Sequence, residues 1–199
     1  MALPGSTARQ RRNKSFEETH REMIDTAVRL ISERGVDALS IAALARAMGI
    51  NRTTVYYHFE TREMLIEAVK AWSAEQLARA FNNAGATRGE RIDHITRFVL
   101  ENPELIKLWF EDFVSVGDIR TRYPQWDRLV DGIKASFAAI DSNDEVDAEV
   151  YCVLLLTSAI IGPRVFKNSV HPDEDNATVL TRFRLEWQRI LSKAGLLNS

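Results

Sequence analysis

Cysteine, glycine and proline are scarce in this sequence, and their scarcity restricts the fold. The single cysteine, Cys152, excludes an intramolecular disulfide framework and is typical of a reducing cytoplasm. Nine glycines and five prolines punctuate 199 residues, and no run of β-branched residues alternates with polar ones. We therefore predict an all-α protein located in the cytoplasm.

The sequence also lacks the motifs of common enzyme classes. Its four histidines are scattered, with no pair spaced i, i+4 and no Cys/His cluster, so a metal site is not expected. Nucleophile-elbow, P-loop and dinucleotide-binding glycine patterns do not occur. Cys152 stands within an apolar stretch, where a thiol usually belongs to the core. These absences predict no catalytic residue, no metal and no cofactor, and hence a protein that is not an enzyme.

The longest uncharged run, VYCVLLLTSAIIGP at residues 150–163, is shorter than a membrane span. A transmembrane helix needs about 20 predominantly apolar residues. This run contains Thr157, Ser158, Gly162 and Pro163, and Arg164 follows it. We interpret residues 146–166 as a helix buried on several faces, and we expect no membrane partner.

Charge is distributed unevenly along the chain. The net charge is −2, but residues 1–58 carry nine basic and six acidic side chains, which leaves the remainder acidic. Residues 1–15 hold Arg9, Arg11, Arg12 and Lys14 and no acid. This segment is predicted to be a flexible basic arm, either reaching DNA or simply a solvated terminus.

Residues 40–59, SIAALARAMGINRTTVYYHF, have the pattern of two short helices joined by a tight turn. Ile41, Leu44, Ala45 and Met48 form an apolar stripe at steps of three and four, and Ser40 is a suitable N-cap. Gly49 can adopt the left-handed conformation that ends a helix, so a second helix is predicted over 52–58, capped by the asparagine before it. This is the spacing of a helix-turn-helix, whose second helix enters the major groove of DNA.

The predicted second helix is rich in hydrogen-bond donors. All of its residues except Val55, the internal anchor, can donate: Arg52, Thr53, Thr54, Tyr56, Tyr57 and His58. Side chains of these types contact phosphates and base edges in DNA complexes. The alternative is an ordinary amphipathic surface helix with two half-buried aromatic residues.

Residues 22–66 resemble the N-terminal domain of the tetracycline-repressor (TetR) family of transcription regulators. The resemblance rests on AVRLISERGVDALSIAALARAMGI, on TTVYYHF and on the continuation ETREMLIEAV. It implies a homodimeric repressor that binds double-stranded DNA at a palindrome-like operator and is released by a small molecule. Outside this tract, only length and helical character match the family.

Site roles follow from the resemblance together with the residue chemistry. Arg52, Thr53 and Tyr57 are expected to contact base edges. Phosphate contacts are expected from Arg62 and from four residues of the helix pair: Ser40, Thr54, Tyr56 and His58. The family usually places lysine near position 62, and Arg62 keeps the charge but changes the geometry. Ile41 and Ala42 stand where relatives often have polar residues, so the first helix of the pair is expected to contribute little to sequence readout.

The remainder of the chain predicts further helices that form a body. A long helix from Thr61 to about residue 82 links the two parts, and the helices over 146–166 and 172–194 are expected to form a four-helix bundle with those of a second subunit. The alternative is that both merely complete a monomer core. Seven aromatic residues are predicted to line a pocket for an apolar or aromatic ligand, although each could be plain core: Trp72, Phe98, Trp109, Phe113, Trp126, Phe137 and Tyr151. Arg97, Glu101 and Asp112 are possible polar partners.

We therefore divide the chain into a flexible basic arm (1–15), a helix-turn-helix DNA-binding domain (16–60) and a helical ligand-binding and dimerisation domain (61–199). The function predicted is sequence-specific transcription regulation, most simply repression. The alternative is a helical small-molecule-binding or enzymatic module that does not bind DNA.

Overall fold

The computed structural model describes residues 5–82, 87–123, 125–138 and 146–193, and these are helical without any strand. The predicted all-α class is confirmed. The helices are α1 (Gly5–Arg34), α2 (Ile41–Met48), α3 (Arg52–His58), α4 (Arg62–Asn82), α5 (Arg88–Glu101), α6 (Pro103–Val114), α7 (Ile119–Arg122), α8 (Trp126–Ala138), α9 (Ala148–Val165) and α10 (Asn176–Lys193). A 3₁₀ turn (Val36–Ala38) follows α1, and a π-helical turn (Phe166–Val170) follows α9.

The chain separates into two compact units, Met1–Ser73 and Ala74–Ser199. In the first unit α1 packs against the 3₁₀ turn and α2, and α2 packs against α3. Its core contains apolar side chains from every helix, all essentially excluded from solvent: Met23, Ala27, Ile31, Leu39, Leu44, Val55, Phe59, Leu65 and Val69. Burial of this kind stabilises a fold by about 25 cal/mol per Å² of apolar surface.

Helix α1 differs from its predicted extent. The helix begins at Gly5 and so includes most of the segment, residues 1–15, that was predicted to be a flexible arm. The residues from Ala8 to Lys14 are mainly Ala, Arg, Gln and Lys, which are strong helix formers and include no proline. Local propensity therefore accounts for the extension.

In the second unit α5 packs against both α9 and α10, and α6 and α8 pack against α9. Arg184 of α10 forms a two-pronged ion pair with Asp93 of α5, with Nε–Oδ1 at 2.8 Å and Nη2–Oδ2 at 2.5 Å. Arg120 connects Asp127 of α8 and Glu149 of α9, each at 2.8 Å. The pairs with Asp93 and Glu149 connect helices that are distant in sequence, and the pair with Asp127 connects the consecutive helices α7 and α8.

Helix α9 is less buried than its composition suggests. The segment Ala148–Val170 is long and apolar enough to cross a membrane by length and composition alone, with a mean hydropathy of 1.5, yet only 17% of it is buried. Val150, Val153, Leu154 and Val165 lie exposed on it. Among the described residues, α5, α6, α8 and α10 pack against α9 but leave these side chains exposed, so the expectation of a helix covered on several faces is not met within one chain.

Candidate nucleic-acid interface and ligand cavity

The turn between α2 and α3 has the helix caps that the sequence predicted. The Ser40 hydroxyl accepts a hydrogen bond from the Ala43 amide at 3.0 Å and caps α2. Gly49 is left-handed (φ 67°), and the Ile50 amide donates to the Ala45 carbonyl at 3.0 Å, which closes a Schellman-type ending. Asn51 Oδ1 then accepts from the Thr53 amide and starts α3 at Arg52.

Helix α3 presents its polar side chains to solvent. Val55 is completely buried, and Phe59 just beyond the helix is nearly so, which fixes which face of α3 is inward. Arg52, Thr53, Thr54, Tyr56 and Tyr57 are exposed, with Tyr57 73% and Tyr56 52% accessible. An exposed row of donors on a short capped helix is the arrangement that a recognition helix needs.

His58 lies in a different environment from its neighbours on α3. Its imidazole stacks on Phe16 of α1 with ring centroids 4.1 Å apart, and His20 lies 5.6 Å from it. Burial and the nearby His20 both lower the pKa of His58, burial contributing more. The structure therefore turns the ring toward α1, whereas the sequence suggested a phosphate contact.

Arg62 also makes contacts that the sequence did not predict. Its Nε donates to the Leu39 carbonyl at 2.7 Å and its Nη2 to the Val36 carbonyl at 3.0 Å, so the guanidinium ties the start of α4 to the segment before α2. Two carbonyls outside the α-helices thereby gain a charged donor. These two hydrogen bonds hold the guanidinium within the first unit, and the phosphate contact that the sequence suggested stays a prediction. Likewise the Ser40 hydroxyl is engaged in its cap, and Ile41 is part of the core.

The second unit encloses an apolar cavity of about 430 Å³. Five of the seven aromatic residues predicted for a pocket line it: Trp109, Phe113, Trp126, Phe137 and Tyr151. Phe98 instead packs against the neighbouring cluster around Val99, and Trp72 belongs to the first unit. Ala74, Leu77 and Ala78, from the later part of α4, also form cavity wall.

The polar groups of the cavity are not those that the sequence suggested. Arg97, Glu101 and Asp112 do not line it; Arg91, Gln125, Arg128 and Ser136 do. Cys152 also lies in the wall, and burial raises the pKa of its thiol to about 11, so it stays protonated and is no nucleophile at neutral pH. Helical spacing could have indicated Arg91, because it lies four residues before Ile95 and therefore on the same face of α5.

Comparisons with known proteins agree with this geometry. The family described as "Bacterial regulatory proteins, tetR family" matches residues 23–69. The regulator AcrR of Shigella flexneri is 34% identical over 53 residues, which cover 27% of this chain and 25% of that protein. The repressor Rv3405c of Mycobacterium tuberculosis is 25% identical over 137 residues, covering 69% and 70% of the two chains. The chain thus spans a quarter of AcrR and most of Rv3405c.

Solved structures resemble a larger part of the chain. A TetR/AcrR-family regulator from Thermobifida fusca has a TM-score of 0.60 at 21% identity, covering 92% of this chain and 98% of that one. AibR, in complex with isovaleryl coenzyme A and operator DNA, has a TM-score of 0.53 at 21% identity, covering 83% and 95%. These likenesses support the helical fold of both units.

The capped helix pair with its exposed donors defines a helix-turn-helix DNA-binding protein. The family pattern covers the same residues, and the helical fold of the second unit resembles that of solved TetR-family structures, so the comparisons support a TetR-family transcription regulator. Members of that family are transcription regulators and not enzymes.

Proposed function

We propose that the protein is a transcription repressor that binds a palindrome-like operator as a homodimer and leaves it when a small apolar or aromatic ligand fills the cavity of the second unit. The observation that carries DNA binding is the exposed donor face of α3 between Asn51 and Phe59. Arg52, Thr53 and Tyr57 contact base edges in this proposal, and Thr54 and Tyr56 contact phosphates.

The exposed apolar face of α9 supports the homodimer. Val150 and Leu154 lie one helical turn apart and both are more than half exposed, as are Leu185 and Ile190 on α10. A second copy presenting the same two helices would cover these side chains in a four-helix bundle. A dimer also supplies the two recognition helices that half-sites about 34–36 Å apart, or a multiple of that spacing, require.

Release by ligand is a linkage between the cavity and DNA binding. Helix α4 starts beside the helix-turn-helix at Arg62, and its later residues Ala74, Leu77 and Ala78 line the cavity. In this proposal, ligand favours a state in which α4 holds the recognition helices away from the half-site spacing. A coupling of about 1–3 kcal/mol is typical of such systems. Equal ligand affinity of the free and the operator-bound protein would rule out this route.

The decisive experiment for DNA binding is selection of bound duplexes from a random pool, followed by affinity measurements on the selected operator over a range of salt. We expect tight binding that weakens steeply as salt rises, because phosphate contacts release counterions. Absence of salt-dependent binding to any duplex would favour the alternative of a helical ligand-binding module.

Three variants test the assignment of roles. Arg52→Ala should relax preference at particular base pairs and cost about 1–3 kcal/mol on the operator. Tyr56→Phe should weaken binding to all sequences alike. Arg29→Ala, which removes an exposed arginine on α1, is the matched control and should change neither affinity nor preference.

A further inference from the structure

The cavity wall contains a cation, Arg91, that forms no ion pair with any acidic side chain in the described part of the chain. Arg91 lines the cavity, and its Nε atom is buried without a hydrogen-bond partner among the described residues. A buried donor without an acceptor is unfavourable and is rare in native structures. This position therefore favours an acceptor that the described residues do not provide.

The acidic residues near Arg91 are engaged elsewhere. On the same helix, Glu90 accepts hydrogen bonds from Thr87, and Asp93 pairs with Arg184 of α10. Among the described residues that line the cavity there is no Asp or Glu, and the second charged residue of the wall, Arg128, is also basic. The described wall thus contains two arginines and no acidic residue.

The rest of the wall is apolar and aromatic. Isoleucine and leucine side chains from α4, α5, α8 and α9 line it together with the aromatic rings named above. Such a wall binds a hydrocarbon or aromatic body, while guanidinium groups bind carboxylates through paired, charge-assisted hydrogen bonds.

We infer that the effector is an apolar or aromatic carboxylate, whose acid group binds the Arg91 guanidinium and whose body fills the cavity. This inference rests on the proposed function only in taking the cavity as the effector site. It names a chemical class, a monoanion with an apolar body, and it predicts weaker binding of neutral and cationic ligands of the same shape.

The test compares ligands that differ only in their head group. Decanoate, decanol and decylamine, each below its micellar concentration at pH 7.5, are titrated into the DNA-free protein in a calorimeter. We expect decanoate to bind about 10-fold or more tightly than decanol, because a hydrogen bond to a charged group contributes that much, and decylamine to bind least. Equal affinity for decanoate and decanol, tighter binding of decylamine, or no binding of decanoate would overturn the inference.

Variants of two arginines on α5 make the test specific. Arg91→Gln should abolish the advantage of decanoate over decanol while leaving decanol affinity unchanged, and Arg91→Lys should restore part of it. Arg97→Gln is the matched control, because Arg97 is exposed on the same helix and does not line the cavity. If Arg91→Gln and Arg97→Gln lose the advantage of decanoate over decanol equally, the assignment to Arg91 is wrong. If Arg91→Gln does not fold, the ranking of the three head groups on the unaltered protein still tests the ligand class.

The outcomes separate this inference from the proposed function. Decanoate binding through Arg91 in a protein that does not bind or release DNA would leave the ligand class correct and the regulatory role wrong. Release of operator by ligands irrespective of head-group charge would keep the regulatory role and overturn the ligand class.

Discussion

Arg62 illustrates how a residue that looks like a surface cation in the sequence can be structural. Its two hydrogen bonds go to carbonyls 23 and 26 residues earlier in the chain. No local pattern could indicate them, because the acceptors reach Arg62 only after α2 and α3 have folded back on α1.

Replacing Arg62 by alanine should therefore lower stability. We expect the free energy of unfolding of the first unit to fall by about 1.5–3 kcal/mol, since two carbonyls lose a charged donor. Urea denaturation followed by circular dichroism measures the change, and Arg29→Ala serves as control. An unchanged midpoint of urea denaturation, combined with a shallower salt dependence of DNA binding, would instead support the phosphate contact that the sequence suggested.

We expect His58 to make the first unit sensitive to acid. Burial, assisted by the charge of His20, lowers the pKa of His58 in the folded protein, so the unfolded chain binds a proton more readily. The contribution of His58 to stability is then fully present above the ordinary histidine pKa of about 6.5. This contribution is lost as the pH falls from there through the lowered pKa of the folded state.

We predict that the melting temperature of the first unit falls between pH 7.5 and 5.5, and that His58→Phe, which keeps a ring to stack on Phe16, reduces this fall. His171→Gln is the control, because His171 is exposed in the second unit. An identical pH dependence in His58→Phe and the parent protein would show that another group is responsible. Differential scanning calorimetry at both pH values provides the measurement.

At the scale of elements, the two ends of the α2–α3 turn were predictable because caps are local. Ser40, Gly49 and Asn51 act on residues no more than five positions away, and α3 has the predicted bounds. The environment of Arg91 was not predictable, because its cavity is assembled from side chains of six helices. Sequence periodicity indicates which face of each helix is buried, but it does not indicate which other helix packs against that face.

Gly49 and Gly132 offer a matched pair that tests the turn. A Cβ atom would meet nothing within 4 Å at either position, but only Gly49 has a positive φ. Gly49→Ala should destabilise the protein by about 1–2 kcal/mol through backbone strain alone, and Gly132→Ala within α8 should stabilise it by about 0.5–1 kcal/mol. Chemical denaturation of both variants gives the two signs; a stable Gly49→Ala protein would show that the turn can adopt another backbone conformation.

At the scale of the whole molecule, the exposed apolar face of α9 and the uneven distribution of charge both bear on how the protein would bind DNA. The first 58 residues have a surplus of basic side chains, while the remainder is acidic. In a homodimer joined through α9 and α10, each subunit would bring one basic unit to DNA, and the acidic remainder would disfavour non-specific contact with phosphates.

Leu154→Glu tests the dimer. Leu154 is 58% exposed on α9, and a carboxylate placed in an apolar bundle would lack a partner, so we expect the variant to be monomeric and to bind the operator much more weakly. Val116→Glu is the matched control, because Val116 is completely exposed after α6 and outside the proposed interface. Sedimentation velocity measures the oligomeric state, and a Leu154→Glu protein that sediments like the parent would place the interface elsewhere.

The distribution of tryptophan has a practical consequence. Three of the four tryptophans, Trp109, Trp126 and Trp187, line the cavity, and the fourth, Trp72, belongs to the other unit. Indole fluorescence changes with the polarity of its surroundings, so the protein carries a built-in optical reporter of cavity occupancy. Trp72→Phe would remove the background emission of the first unit. Collections of small acids could then be screened without a label, a DNA probe or an identified operator.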